Sequence, residues 1–216
     1  LRAGVPAERI ILHGNNKSRE ELTRAIEVGV RRIVIDSFDE IARLKELLQS
    51  DHAVKCLIRV TPGVVAHTHE FVQTGQEDSK FGFSIHSGDA RQALDELAHV
   101  AGLSVVGVHA HIGSQIFDLE GFTTALRTVW DFVKGDNIEE ICIGGGLGVA
   151  YVEGEEALSL TTWANAMREA ALSMGIPSSV SLTGEPGRAI VAQAGVTLYT
   201  VGTVKDVTAR RYLSID

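Results

Sequence analysis

The 216-residue chain carries 20 Lys and Arg against 28 Asp and Glu, a formal charge of −8, with 44% hydrophobic and 22% charged residues. That composition excludes a mainly disordered chain, and the acidic surplus argues against a broad nucleic-acid or membrane-surface footprint. No window approaches the ~18 consecutive apolar residues of a membrane-spanning helix.

Short apolar runs alternate with amphipathic segments along the whole length. A strand over Arg9–His13 is followed by Ser18-Arg19-Glu20-Glu21, a capping box ahead of Leu22, Ala25 and Ile26, with Gly29 as the helix stop. The strand Arg32–Asp36 leads into a second capping box, Ser37-Phe38-Asp39-Glu40, ahead of Ile41, Leu44, Leu47 and Leu48 at helical spacing. After the strand Lys55–Thr61 comes a polar loop holding His67-Thr68-His69-Glu70 and Glu77-Asp78-Ser79-Lys80, then Phe81-Gly82-Phe83, which suggests a docked segment. The pattern continues with helix Asp89–Val100, strand Leu103–His111, helix Glu120–Val133, strand Glu140–Gly144, helix Thr162–Met174 and strand Ser179–Thr183. Beyond Arg188 the character changes: Val196–Asp206 and Arg211–Asp216 read as extended strands.

Strands rich in Val, Ile and Leu, separated by helices, predict an α/β fold with a parallel sheet covered on both faces. A doubly wound sheet would concentrate its chemistry in one Gly-rich loop after the first strand. Here polar residues follow nearly every strand: His13-Gly14-Asn15-Asn16, Asp36-Ser37, His111-Ile112-Gly113-Ser114, Gly144-Gly145-Gly146 and Glu185-Pro186-Gly187-Arg188. Convergence of that kind describes the active face of a barrel. Six βα units fall short of the full (β/α)8 set. The expectation is therefore an incomplete TIM (β/α)8 barrel, about strands 3 to 8, over residues 1–195, with the start of a β-rich domain at 196–216. With Leu1 and not Met at its head, the chain reads as an internal piece of a longer protein.

Three strand ends carry candidate chemistry. Three consecutive glycines, Gly144, Gly145 and Gly146, allow backbone N–H groups to approach a phosphate, although one or two would suffice for a plain turn. His109 and His111 alternate onto the same side of their strand. They read as functional, with a histidine bonded in the core or a metal chelate as the rivals. The absence of an adjoining Asp or Glu argues against metal, so none is assigned. Glu185 and Arg188 could form a surface pair or act separately, the carboxylate holding a proton on a ring nitrogen and the guanidinium gripping an anion. Cys56 and Cys142 lack the spacing of a zinc site and read as buried free thiols of a cytoplasmic protein.

Taken in order, HGNNKS (His13–Ser18), IDS (Ile35–Ser37), KFG (Lys80–Gly82), HAHIGSQ (His109–Gln115), GGGLG (Gly144–Gly148) and EPGR (Glu185–Arg188) resemble the diaminopimelate decarboxylases, pyridoxal-phosphate enzymes on the alanine-racemase-type barrel. VGTVKD and RRYLSID resemble that family's entry into its C-terminal β-domain. EPGR, GGG and H-x-GS are shared with ornithine and arginine decarboxylases of the same fold; HGNNKS, HIGSQ and the HTHEF loop point to the diaminopimelate branch.

The resemblance implies pyridoxal 5′-phosphate as cofactor, with His111 stacked on its ring and Glu185 paired with the ring nitrogen. Ser114, Gly144, Gly145 and Gly146, with the turn Glu185-Pro186-Gly187-Arg188, would surround the phosphate, and Arg188 would bind a substrate carboxylate. It further implies release of CO2 from meso-2,6-diaminopimelate to give L-lysine, in a cytoplasmic homodimer whose partners are small amino acids, with neither nucleic acid nor membrane. One departure matters: the family's Schiff-base lysine, in a tyrosine-alanine-x-lysine context upstream of HGNNKS, has no match here, so these residues alone are expected to be inactive. Three alternatives stay open: an ornithine- or arginine-type decarboxylase, a non-catalytic barrel that binds pyridoxal phosphate, and a metal-dependent barrel hydrolase using His109 and His111.

Overall fold

The computed structural model describes residues 1–64 and 79–216. In chain order the elements are β1 (Ile11–Leu12), α1 (Arg19–Val28), β2 (Arg32–Ile35), α2 (Phe38–Leu47), β3 (Val54–Thr61), β4 (Phe83–Ser84), α3 (Asp89–Leu97), β5 (Leu103–His109), α4 (Glu120–Val133), β6 (Glu140–Cys142), α5 (Leu160–Ser173), β7 (Ser181–Thr183), the short α6 (Arg188–Val191), β8 (Val201–Val207) and β9 (Arg210–Ile215). The sheet runs β1-β2-β3-β5-β6-β7, and every pairing in it is parallel; β4 pairs β3 off that path. Neighbouring strands in sequence are neighbours in space, joined by helices, which is the ordering of a curled barrel sheet and not of a doubly wound one. The fold is an incomplete TIM barrel, as the strand-end chemistry predicts.

Alternation along the strands separates two apolar layers. Ile33, Ile35, Cys56, Ile58, Val108 and Ile141 face the helices and pack with Leu22, Ile41, Leu44, Leu97, Phe122, Leu126, Trp163 and Met167. The alternate residues Val34, Leu57 and Cys142, joined by Val106 at a bulge in β5, form a separate small cluster. Phe122 meets Trp163 edge-on at 5.7 Å, tying α4 to α5.

Local signals set the helix starts. Ser18 accepts from the Glu21 N–H, and the Glu21 carboxylate accepts from the Ser18 N–H, the full reciprocal box; Gly29 ends α1 at φ 68°. The second box is a correction. Ser37 accepts from the Glu40 N–H, but the Glu40 carboxylate bonds the Asp36 N–H instead of its own N-cap. Buried Lys17 diverts it, with Nζ 2.9 Å from Glu40 Oε1.

Several boundaries move inward. The strand ending at His111 stops at His109, and the one ending at Gly144 stops at Cys142, because their last residues turn out of the ladder toward the loops. β4 is two residues long, too short to leave a periodic signal. The extended tail is an antiparallel hairpin, β8 with β9, whose residues are all exposed. His67–Glu70 and Glu77-Asp78 lie outside the described residues. Among the described residues no helix is long and apolar enough to cross a membrane.

Candidate active site

The functional candidates sit at or beyond the C-terminal ends of the parallel strands. Glu185, two residues beyond β7, is the hub. His13, after β1, places Nε2 2.8 Å from Glu185 Oε1; His109, the last residue of β5, places Nε2 3.0 Å from Oε2. The two imidazole rings meet edge-on, 4.8 Å between centroids. Burial alone would push the Glu185 carboxyl up, but the hydrogen bonds from His109 and His13 outweigh it and hold it well below the usual carboxylate range. Burial lowers the His109 pKa against the pull of Glu185; its other nitrogen, Nδ1, is buried without a hydrogen-bond partner among the described residues.

His111 faces the glycine loop. Its Nδ1 accepts the Gly145 N–H at 3.2 Å, which leaves the proton of the neutral ring on Nε2. Burial, then the nearby Arg59 charge, depress its pKa to about 4. Arg59, on β3, is itself lowered by burial and opposed by Asp36, whose Oδ2 lies 3.6 Å away, and by Glu185. Arg59 also covers the Phe81 ring at 4.4 Å, while the Asp36 carboxylate accepts the Gly82 N–H at 2.9 Å. The KFG segment is thus docked against the site, as Phe81-Gly82-Phe83 suggests.

The glycine loop leaves no space for side chains. A Cβ on Gly145 would lie 2.2 Å from the Glu185 carbonyl oxygen, and one on Gly146, at φ 107°, would lie 2.2 Å from the Gly113 carbonyl oxygen. Glu185 N–H closes the contact by donating to the Gly144 carbonyl at 2.7 Å. Backbone following β5, β6 and β7 therefore packs closely here, and the glycines are what allow those three loops to meet.

Arg188 and Glu185, three residues apart, do not pair. Arg188 Nη1 donates to the Tyr151 hydroxyl at 3.0 Å and Nη2 to Ser114 Oγ at 3.2 Å. No carboxylate pairs with this guanidinium among the described residues, so two neutral hydroxyls meet a full positive charge on the exposed side of the glycine loop. Pro186 and Gly187 form the turn between Glu185 and α6, and Gly187 caps that helix without a side-chain bond.

The site brings together His109, His111, Ser114, Gly144, Gly145, Gly146, Glu185 and Arg188, all expected from sequence. It adds His13 as a partner of Glu185 and Tyr151 as a partner of Arg188, neither of which carries an assigned role in the sequence reading. His13 had a usable signal, since it closes a strand candidate just as the other site residues do. Tyr151 had none; it follows the glycine loop in an irregular segment. Among the described residues the His13, His109 and Glu185 ligand atoms also lie within 4.8 Å of one another.

Residues 1–192 match the family described as pyridoxal-dependent decarboxylase, pyridoxal binding domain. Diaminopimelate decarboxylase of Bacillus subtilis is 44% identical over 99% of this chain and 51% of its own length; that of Staphylococcus aureus is 42% identical over 100% and 52%. The crystal structure of the Helicobacter pylori diaminopimelate decarboxylase complexed with L-lysine superposes with a TM-score of 0.81 at 30% identity, covering all of this chain and 54% of that one. The M. jannaschii enzyme, also with L-lysine, gives 0.82 at 32% over 100% and 51%. A Paramecium bursaria Chlorella virus arginine decarboxylase, at 22% identity and a TM-score of 0.73, shares the fold. The chain spans about half the length of the curated relatives it matches.

Proposed function

The chain belongs to the pyridoxal-dependent decarboxylases, carrying their pyridoxal-binding domain, and from that premise we propose that its residues form the phosphate-, ring- and carboxylate-binding part of an enzyme that decarboxylates meso-2,6-diaminopimelate to L-lysine. The observation that carries the reading is Glu185, held by two histidines beside three consecutive glycines and close to Arg188, which pairs with no carboxylate among the described residues.

The residues fit pyridoxal 5′-phosphate. Ser114, Gly144, Gly145 and Gly146 with the turn Glu185–Arg188 would hold the phosphate, His111 would lie against the ring, and Glu185 would face its nitrogen. When bound, the cofactor supplies an electron-accepting ring that delocalises the electron pair left at Cα as CO2 departs. Glu185, charged at neutral pH, keeps a proton on the ring nitrogen by stabilising the cation next to it. His111, neutral with its Nδ1 engaged by Gly145, contributes a flat face without adding a competing positive charge. Arg188 binds a substrate carboxylate as a fork, at the rim where its charge is unmatched.

The diaminopimelate branch is favoured over ornithine or arginine by relatives at 40–44% identity carrying that name, against a 22% identical arginine decarboxylase that supports the fold alone. Buried, free Cys56 and Cys142 suit a reducing cytoplasm, and a homodimer is the assembly proposed for the whole protein. Thermal shifts measured with pyridoxal 5′-phosphate present test the substrate. The largest rise in Tm is expected with meso-2,6-diaminopimelate; a larger rise with L-ornithine or L-arginine would transfer the assignment to that branch.

A further inference from the structure

Glu185 is addressed by two residues that are distant in sequence, His13 after β1 and His109 at the end of β5, whose rings meet edge-on 4.8 Å apart. Each imidazole takes a different oxygen, at 2.8 and 3.0 Å. Their Nε2 atoms therefore aim at the carboxylate itself and not at a common empty point between them, which is the geometry of a two-donor clamp and not of a metal centre. His109 is 2% exposed and its Nδ1 has no partner among the described residues. A neutral ring with its only proton on Nε2 leaves an acceptor unmet at Nδ1, whereas the other tautomer or the cation would bury an unmet N–H donor and lose or alter the bond to Glu185. Burial selects the donating form.

We infer that His13 and His109 are positioning residues that act through Glu185, holding its carboxylate in one orientation so that the site selects ligands with a cationic ring N–H over isosteric rings without the nitrogen. The inference rests on the cofactor reading above and deepens it, because it assigns ring selectivity to two residues that need not touch the ring. Held at both oxygens, the carboxylate presents its remaining lone pairs in a fixed direction, so a ring N–H meets an acceptor that needs no reorganisation. A carboxylate released from one histidine can rotate or take up water and loses that advantage. The site would then still hold a phosphate but would read the ring less sharply.

The test compares equilibrium binding of pyridoxine 5′-phosphate with that of its 1-deaza analogue, in which CH replaces the ring nitrogen, to the 216-residue chain. The wild type should favour the nitrogen-bearing ligand by about tenfold or more. His13→Leu and His109→Leu should shrink that ratio toward one while both ligands still bind through the phosphate. His109→Gln, whose amide can donate from near the Nε2 position, should restore much of it. A purely structural role would weaken both ligands alike and leave the ratio intact, and that result overturns the inference. If His109→Leu does not fold, the part-exposed His13→Leu carries the same comparison. Failure of either ligand to bind the wild type would instead remove the cofactor reading, and this inference with it.

Discussion

Gln115 holds Val149 with both ends of its amide: Nε2 donates to the Val149 carbonyl at 3.0 Å and Oε1 accepts the Val149 N–H at 2.9 Å. Gln115 stands at φ 57°, the one non-glycine residue with positive φ among the described residues. Strain of this kind persists where the surroundings over-determine it. Here it joins the loop after β5 to the glycine loop after β6, alongside the backbone bonds Ile116 N–H to Gly146 O and Gly148 N–H to Ile116 O. Gln115→Ala should cost about 1–3 kcal/mol by leaving both Val149 groups unmet. Gln115→Gly should lose less, since glycine adopts φ > 0 freely. Urea unfolding of the two variants gives the order directly; a lower midpoint for the glycine variant would refute the strain account.

Lys17 and Glu40 are each about 2% exposed, yet both are charged groups. Lys17 Nζ also donates to the carbonyls of Gly14 and Val34, at 2.5 and 2.8 Å, so it ties the loop after β1 to β2 and α2. Removing one partner leaves an uncompensated buried charge, and Lys17→Met is expected to cost about 3–5 kcal/mol. The double variant Lys17→Met with Glu40→Leu should recover much of that loss. A double-mutant cycle by chemical denaturation measures it, and additive losses would contradict the pairing.

Acid should unfold the protein through its site. His111 is depressed from 6.5 to about 4, and His109 is lowered too, both by burial first. A histidine that protonates more readily when unfolded contributes stability that is complete above about pH 6.5 and is lost as the pH falls toward 4. Glu185, also depressed, extends the loss further into acid. Urea midpoints measured between pH 7 and 4 should fall steadily, and His111→Phe should flatten the slope in that window.

Burial raises both thiols, Cys142 to about 12 and Cys56 further still. Neither should react with a thiol reagent at neutral pH while the chain is folded, and both should react once it is unfolded. Rapid labelling of Cys56 under native conditions would show that the β2–β3 interior opens.

Sequence legibility followed sequence distance. The α1 capping box and its glycine stop were readable because all their partners lie within about one turn of each other, and α4 was readable end to end from its apolar spacing. The second box was half readable: Ser37 capped as its pattern implies, but Glu40 answered Lys17, 23 positions earlier, which no local pattern encodes. In EPGR the separate use of Glu185 and Arg188 was readable but their partners were not: tertiary packing turned Glu185 to His13 and His109, and Arg188 to Tyr151 and Ser114. Strand-end location, the property common to all these groups, was visible throughout. Which groups would meet across the barrel face depended on sheet order.

The central claim is that the strand-end cluster is a phosphate-anchored pyridoxal site. Isothermal titration of the 216-residue chain with pyridoxal 5′-phosphate, beside pyridoxal without the phosphate, addresses it most directly, with Gly145→Ala and Gly146→Ala as controls for the glycine loop. One saturable site per chain is expected, about tenfold or more weaker for the phosphate-free ligand, with both alanine variants narrowing that difference. Equal binding of the two ligands, or no saturable binding of either, would contradict the account.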